Sequence, residues 1–516
     1  NSMKKYIWIG ILLFAGCSKS VLETNKQFPL LQASNKDLQG GNWKTILTFN
    51  KTDFQPAAPI PATDPAYQKQ LDEVASLQQS MTAEDKENLN YWGAGAVLRW
   101  NEIIRQLVAK YNLPPVNNPD GTYPIPTAAN PLAYPYFPFA NPPYAARAYA
   151  YLSVAQYDAL VAAQYWKMQY NVNPAYQRDT RIKAMLPDNA IKSYPSADAV
   201  VYGASVAVLK LLFPGETEYI DQQAALHRKA RLQSGIETAA DLSAGEKLGQ
   251  QVAQISIARA RTDRAGAAIG ISNGVNLWKE FEQAAISRNE VPWISQESPK
   301  RPPMLPYFGR VKTFLFDSTT LVTQVRPGPP PSTSSEAFKK ELEEVKYFSN
   351  NPTRERIAIV HFWADGVGTY TPPGHWNAIA AEAFVTMGWS ELRWARAMAL
   401  LNMSLMDAAV ACWDAKYTYY NPRPSQMDAE IKTMTGLPNF PAYVSGHSTF
   451  SGAAAEILAY LVPARQQQFR NMANEASLSR LYGAIHYTSD CSVGLTLGKK
   501  VAEYAVQRAM SDGAGQ

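Results

Sequence analysis

The segment Phe440-Pro441-Ala442-Tyr443-Val444-Ser445-Gly446-His447-Ser448 leads into Thr449-Phe450-Ser451-Gly452-Ala453-Ala454-Ala455-Glu456-Ile457-Leu458 and carries the clearest helix start in the chain. Ser445 is a good N-cap, because its side-chain oxygen can accept a backbone N–H of the first turn. Gly446 lets backbone N–H groups come close to a ligand at the positive end of the following helix. Such a start is an anion cradle with a hydroxyl and an imidazole, His447, built in. The same residues also suit an ordinary capped helix with a histidine in its first turn, so the neighbouring segments decide.

Outward from this helix, most long segments repeat apolar residues with a 3.6-residue period. Thr82-Ala83-Glu84-Asp85 reads as a capped, acid-rich start for a helix to about residue 111. Further helices are expected near 144–166, 196–213, 217–235, 243–262, 334–363, 375–417, 447–462 and 466–509, some of them broken. The Tyr/Pro-rich stretch from Leu113 to Pro143, and Val291–Pro306 and Val325–Ser335, cannot continue helices, because proline lacks the N–H and clashes with the preceding turn. Strand alternation is scarce and no repeat of 20–50 residues is evident, which argues against a solenoid. An all-α bundle architecture follows.

With 516 residues, 46% hydrophobic and 18% charged, the chain can bury a large core. Its net charge of +5 is too small at this length to argue for nucleic acid. Three cysteines cannot build a disulfide framework, and five histidines leave little for a multi-histidine metal site.

Asn1 and Ser2 read as an expression scar before Met3. Lys4 and Lys5 then precede the apolar stretch Tyr6 to Phe14, which ends in Ala15-Gly16-Cys17. This is a signal-peptide design, too short to span a bilayer, and no other run approaches the 18 apolar residues a span needs. Ala15-Gly16-Cys17 resembles a bacterial lipobox, which implies a lipid on Cys17 and an exported lipoprotein, periplasmic or outer-membrane-tethered. Membrane contact would then be only through that anchor. The expected division is a signal peptide at 1–17, a tether and irregular segment at 18–80, an N-terminal helical region at 81–330 and a C-terminal helical domain at 331–516. Cys412 and Cys491 read as buried small apolar residues.

Two further clusters bear on the chemistry. Trp413-Asp414-Ala415-Lys416 and Asn421-Pro422-Arg423-Pro424 set an ammonium and a guanidinium seven residues apart near a helix end. That pairing suits a tetrahedral oxyanion. In Ser479-Arg480-Leu481-Tyr482-Gly483-Ala484-Ile485-His486-Tyr487-Thr488-Ser489-Asp490, His486 and Asp490 are four apart. On one helical face Asp490 could accept the Nδ1 proton and aim Nε2 outward, as a nucleophile or a metal ligand. Arg480 and His486 can share a site only if the helix bends or ends between them, and Gly483 is a place for that.

Lys416-x6-Arg423-Pro424, then Ser445-Gly446-His447, then Ser479-Arg480-x5-His486-x3-Asp490 resembles the three-part signature of one superfamily. It contains type 2 phosphatidic acid phosphatases (PAP2), bacterial class A acid phosphatases and vanadium-dependent haloperoxidases. The resemblance covers roughly residues 340–510 and implies helical bundles with the active site in the C-terminal one. Three features look like the haloperoxidase branch: Trp413 before the signature lysine, Phe440 before the signature histidine, and Phe362-Trp363-Ala364-Asp365-Gly366 upstream, whose acid would hold Arg480. Val444, where the family usually has proline, departs from the pattern and could loosen the turn into Ser445.

The resemblance then implies vanadate as cofactor, with phosphate able to occupy the same site. Lys416, Arg423, Ser445, Gly446 and Arg480 would bind its oxygens, and His486 would bond the metal. His447, His486, Asp490 and Lys416 would be catalytic, Trp413 and Phe440 would line the substrate pocket, and Asp365 and Asp490 would orient. The substrates would be hydrogen peroxide and halide. An acid phosphatase, hydrolysing phosphate monoesters through a phosphohistidine at His486, uses the same residues. A non-catalytic glycan-binding lipoprotein is the third reading; it would not need His447, His486 and Asp490 in register.

Overall fold

Short polar caps decide where the helices begin. Asn141, Ser196, Thr238, Ser335, Thr353, Ser390 and Ser445 each accept a backbone N–H of the first turn that follows, satisfying a donor the helix cannot. In the computed structural model of the chain, residues 27–113, 117–123, 141–187, 192–272 and 275–515 are described. Residues 1–17, with Cys17, lie outside them, as does most of the Tyr/Pro-rich stretch. Among the described residues the fold is all-α. The only strands are two residues long, Ile271–Ser272 and Val275–Asn276, paired antiparallel with Ile271 opposite Asn276.

The helices fall into two sets related by a fixed shift. Pro142–Tyr170 and Glu391–Tyr419 are both 29 residues long, and Ala197–Leu212 and Gly446–Leu461 are both 16. Thr217–Gln233 and Gln466–Tyr482 are both 17, and Ala239–Thr262 and Thr488–Ser511 are both 24. Each member of the second set starts 249 positions after its counterpart. Details repeat at the same shift. Arg147 Nε bonds Asp263 Oδ2 at 2.7 Å, and Arg396 Nε bonds Asp512 Oδ2 at 2.7 Å. A Cβ on Gly249 would lie 2.2 Å from Val200 O, and one on Gly498 would lie 2.1 Å from Thr449 O, so both helix crossings need glycine for close approach. The chain is a duplicated bundle. Its period of 249 residues is far longer than the 20–50 residues of a solenoid repeat.

The two 29-residue helices pack against each other through the middle of the molecule, buried on nearly all sides. An all-round apolar helix belongs in a core. By length and mean hydropathy Glu391–Met427 could cross a membrane, but Asn402, Ser404 and Asp407 interrupt its apolar residues and it lies buried inside the protein. One hydrophobic core runs from Trp43 to Ala509, across the expected boundary at 330/331.

Several expected elements differ. The segment assigned as tether and irregular chain contains a 15-residue helix, Pro65–Gln79, capped by Asp64. Part of the tether is docked, with Leu31 N donating to Gly93 O and Ser34 N to Gly388 O, both at 2.8 Å. The helix expected at 82–111 breaks at Gly95, whose φ of 126° favours glycine. The expected 334–363, 375–417 and 466–509 helices each divide in two. Cys412 and Cys491 are buried and free.

Candidate active site

Glu391–Tyr419 ends at Tyr420 in the left-handed region (φ 53°), and the chain turns through Pro422 and Pro424. That turn buries Arg423 beneath the start of Gly446–Leu461. Arg423 Nε donates to Phe440 O at 3.0 Å, and Nη1 donates to Ile485 O at 2.8 Å and faces His486 Nε2 at 3.1 Å. Nη2 is buried with no partner.

Gln466–Tyr482 stops before Gly483, and a turn precedes Thr488–Ser511. This break brings Arg480 and His486 to one site. His486 stands just before the second helix and Asp490 in its first turn, with their side chains 2.8 Å apart from Nδ1 to Oδ2. Tyr487 N also donates to Asp490 Oδ2, at 3.1 Å, in a capping box. Burial first, then Arg423, Lys416 and Arg480, holds the His486 imidazole well below the ordinary histidine range. The ring is therefore neutral, its Nδ1 proton donated to Asp490 and its Nε2 lone pair accepting from Arg423 Nη1. Burial pushes the Asp490 carboxyl up to about 7.

Ser445 caps Gly446–Leu461, its Oγ accepting Ser448 N at 3.3 Å, and its own N–H donates to Asp490 O at 2.9 Å. This second bond ties the cradle to the His486 helix. His447 in the first turn has a buried Nε2 with no partner, and burial, then Arg480, keeps its ring well below the ordinary range. A Cβ at Gly446 would meet nothing nearer than 3.9 Å, so glycine is not sterically required there.

Lys416 is placed differently from the expected ligand geometry. Its Nζ donates to Pro441 O at 2.9 Å, Ala442 O at 3.0 Å and Val444 O at 2.6 Å, using all three donors. Burial pulls its ammonium down to about 7, while three surrounding carbonyls favour the charged form. It contributes positive charge to the site and offers no spare N–H. The Val444 carbonyl is thereby pinned, and the turn into Ser445 is not loose.

Asp365 does not pair with Arg480 as expected. Its carboxylate bonds His375 Nδ1 at 3.1 and 3.2 Å and acts on Arg480 only across space. Arg480 instead donates from Nε to Ser479 Oγ at 2.8 Å and from Nη2 to Val360 O at 3.3 Å. Trp413 and Phe440 pack with ring centroids 5.0 Å apart, Trp413 Nε1 donating to Met304 O at 3.2 Å.

Trp413, Phe440, Gly446, His447, Arg480 and His486 line one cavity of about 430 Å³. Sequence reasoning missed several of its walls. Arg301 and Glu297, hydrogen-bonded to each other with Nη2 2.9 Å from Oε1, stand on it, as does Thr371. Thr371 has a φ of 68° and a buried hydroxyl without a partner. Their Pro-rich surroundings have no periodicity to reveal them.

The electrostatics of this site are unbalanced. Lys416, Arg423 and Arg480 are buried, and none of them forms an ion pair among the described residues. Buried charges need compensation. Three unpaired cations, an orphaned guanidinium nitrogen and the start of a helix make a seat for an oxyanion, and vanadate and phosphate both fit it chemically.

This buried-cation site on a duplicated helical bundle defines a class of protein. Residues 391–508 match the family model of the PAP2 superfamily. Among solved structures, the chain is similar to the first bacterial vanadium-dependent iodoperoxidase, at 24% identity and a TM-score of 0.56, covering 71% of this chain and 91% of that one. It is also similar to a bacterial vanadium-dependent chloroperoxidase. The apo form gives 14% identity and a TM-score of 0.51, covering 72% and 93% of the two chains. The holo form gives 13% and 0.51, covering 73% and 93%. The shared property is the fold. No curated protein sequence matches this chain.

Proposed function

We propose that this chain is a vanadate-dependent haloperoxidase, an enzyme that oxidises halide with hydrogen peroxide. The observation that carries the reading is the set of three buried, unpaired cations beside a neutral imidazole oriented by Asp490. The fold likeness to iodoperoxidase and chloroperoxidase structures, over 71% to 73% of the chain, supports this branch.

In this reading Arg423 and Arg480 would hold the oxygens of vanadate, Ser445 and the Gly446 N–H would add hydrogen bonds, and His486 Nε2 would be the ligand to the metal. Bound vanadate would supply Lewis-acid activation of peroxide without a change in oxidation state. Asp490 fixes the His486 tautomer by taking the Nδ1 proton. His447, kept neutral by burial and Arg480, accepts a proton from incoming peroxide at Nε2. Lys416 adds charge that stabilises developing negative oxygen. Trp413 and Phe440 keep water from one side of the reacting atoms. The overall reaction balances: hydrogen peroxide, halide and one proton give hypohalous acid and water.

A phosphatase is the second reading, favoured by the same neutral His486, whose Nε2 lone pair would leave Arg423 Nη1 to attack phosphorus while His447 protonates the leaving alkoxide. Assaying the purified protein with and without vanadate separates the two. The substrates are peroxide with iodide or bromide, and p-nitrophenyl phosphate. Vanadate-dependent halide oxidation without ester cleavage is expected; ester cleavage by the metal-free protein, inhibited by vanadate, would replace the proposal. Attachment through Cys17 belongs to the same proposal, and labelled palmitate that is not incorporated, or that Cys17→Ser fails to remove, would refute it.

A further inference from the structure

The duplication builds a second cavity, of about 80 Å³, into the first half of the chain. Gln164, Ala197, Asp198, Arg231, Ile236 and Glu237 line it. Their counterparts 249 positions on, Trp413, Gly446, His447, Arg480, Ile485 and His486, line the larger cavity. The two cavities are the same place in two copies of one bundle.

Around the two cavities Lys167, Ser196, Arg231, Ile236 and Asp241 keep their identity as Lys416, Ser445, Arg480, Ile485 and Asp490. The backbone frame is also kept. Ser196 N donates to Asp241 O at 3.0 Å, as Ser445 N does to Asp490 O at 2.9 Å. Thr238 N donates to Asp241 Oδ2 at 2.9 Å, as Tyr487 N does to Asp490 Oδ2 at 3.1 Å. The imidazoles change, with Asp198 standing for His447 and Glu237 for His486, and Pro174 stands for Arg423, so the first half keeps two of the three cations, Lys167 and Arg231.

Glu237 is 1% exposed, and its position is informative. Its Oε2 accepts Arg231 Nε at 2.8 Å and Nη2 at 2.7 Å, and its Oε1 accepts the Ser196 hydroxyl at 3.1 Å. A capping serine and an arginine fork therefore grip a carboxylate where the second half leaves its cations unpaired. Asp198 adds a second negative charge, with Oδ2 3.4 Å from Arg231 Nε and Oδ1 3.1 Å from His227 Nε2. Glu391 also lines the cavity, but its carboxylate is engaged by the backbone N–H of Val97. Trp92 stands in the same wall, 1% exposed, and its indole N–H has no acceptor. A buried donor left without an acceptor points to an anion.

We infer that the first half carries a second oxyanion site, closed by its own Asp198 and Glu237 carboxylates, which takes a free tetrahedral oxyanion once those charges are removed. The inference rests on reading the second-half pocket as an anion seat. Radiolabelled inorganic phosphate measured by equilibrium dialysis tests both at once. The unaltered protein is expected to bind one phosphate per chain, and Asp198→His/Glu237→His two. Adding Arg231→Met to that variant should return it to one. Asp198→Asn/Glu237→Gln, which keeps side-chain size, is measured beside it and is also expected to take two. One phosphate per chain in whichever of these variants folds overturns the second site while leaving the first. No phosphate on the unaltered protein overturns the anion seat itself.

Discussion

At the residue scale, catalysis in either reading needs His486 as a neutral ring with a free Nε2. His486→Ala should abolish activity and vanadate affinity together, and an active variant in either assay removes the site assignment. Asp490→Asn keeps the size of the side chain but replaces an acceptor-only carboxylate with a neutral amide that can donate to Nδ1 as well as accept from it, so the tautomer is no longer fixed. Loss of an outer orienting group of this kind costs about 10–100-fold in activity, with the fold intact by circular dichroism. The pH dependence has a definite sign. Burial depresses both His486 and His447, so falling pH charges them only well below 6.5. Asp490, which burial raises to about 7, is therefore the first of these groups to take up a proton as pH falls, and an acid limb near 7 is expected; an acid limb that survives unchanged in Asp490→Asn would contradict this assignment. Residue types and spacings were legible at this scale, including the His486–Asp490 pair. The partners of Asp365 and Lys416 were not, because a carboxylate takes whichever donor the fold brings near, and here that is His375.

At the element scale, helices were recognisable from period and caps. Their breaks were not always so: Gly95 interrupts an apolar pattern that otherwise continues, and only its backbone angle shows why. Glycines at helix crossings carry a clear stability prediction. A Cβ at Gly498 would lie 2.1 Å from Thr449 O, a backbone atom that cannot swing away. Gly498→Ala should cost about 1–3 kcal/mol, the usual range for overpacking, read as a lowered urea midpoint at unchanged slope. Gly446→Ala is the control. Its Cβ meets only ordinary contacts at 3.9 Å, so its midpoint should stay near that of the unaltered protein.

At the scale of the whole molecule, the two halves share one core. Glu391–Tyr419 carries Lys416 and packs against Pro142–Tyr170 along its length. A fragment of residues 331–516 would leave that apolar face without a partner. It should fail to give a cooperative unfolding transition, and a soluble, cooperatively folded fragment would show that the C-terminal region is independent. The duplication also escaped sequence reading. Many positions keep their identity at this shift, among them Arg147/Arg396, Val161/Val410, Lys167/Lys416 and Gly249/Gly498, but a period of 249 residues shows only when one half of the chain is laid on the other.

The sequence by itself determined the helical class, the helix starts and the chemical inventory of the site. These depend on short-range physics: the 3.6-residue period, the cap hydroxyl and fixed spacings along one turn. Only the tertiary structure decided which charges are compensated. Lys416, Arg423 and Arg480 come from three separate segments, and their lack of an ion-pair partner among the described residues exists only once folding has buried them away from water.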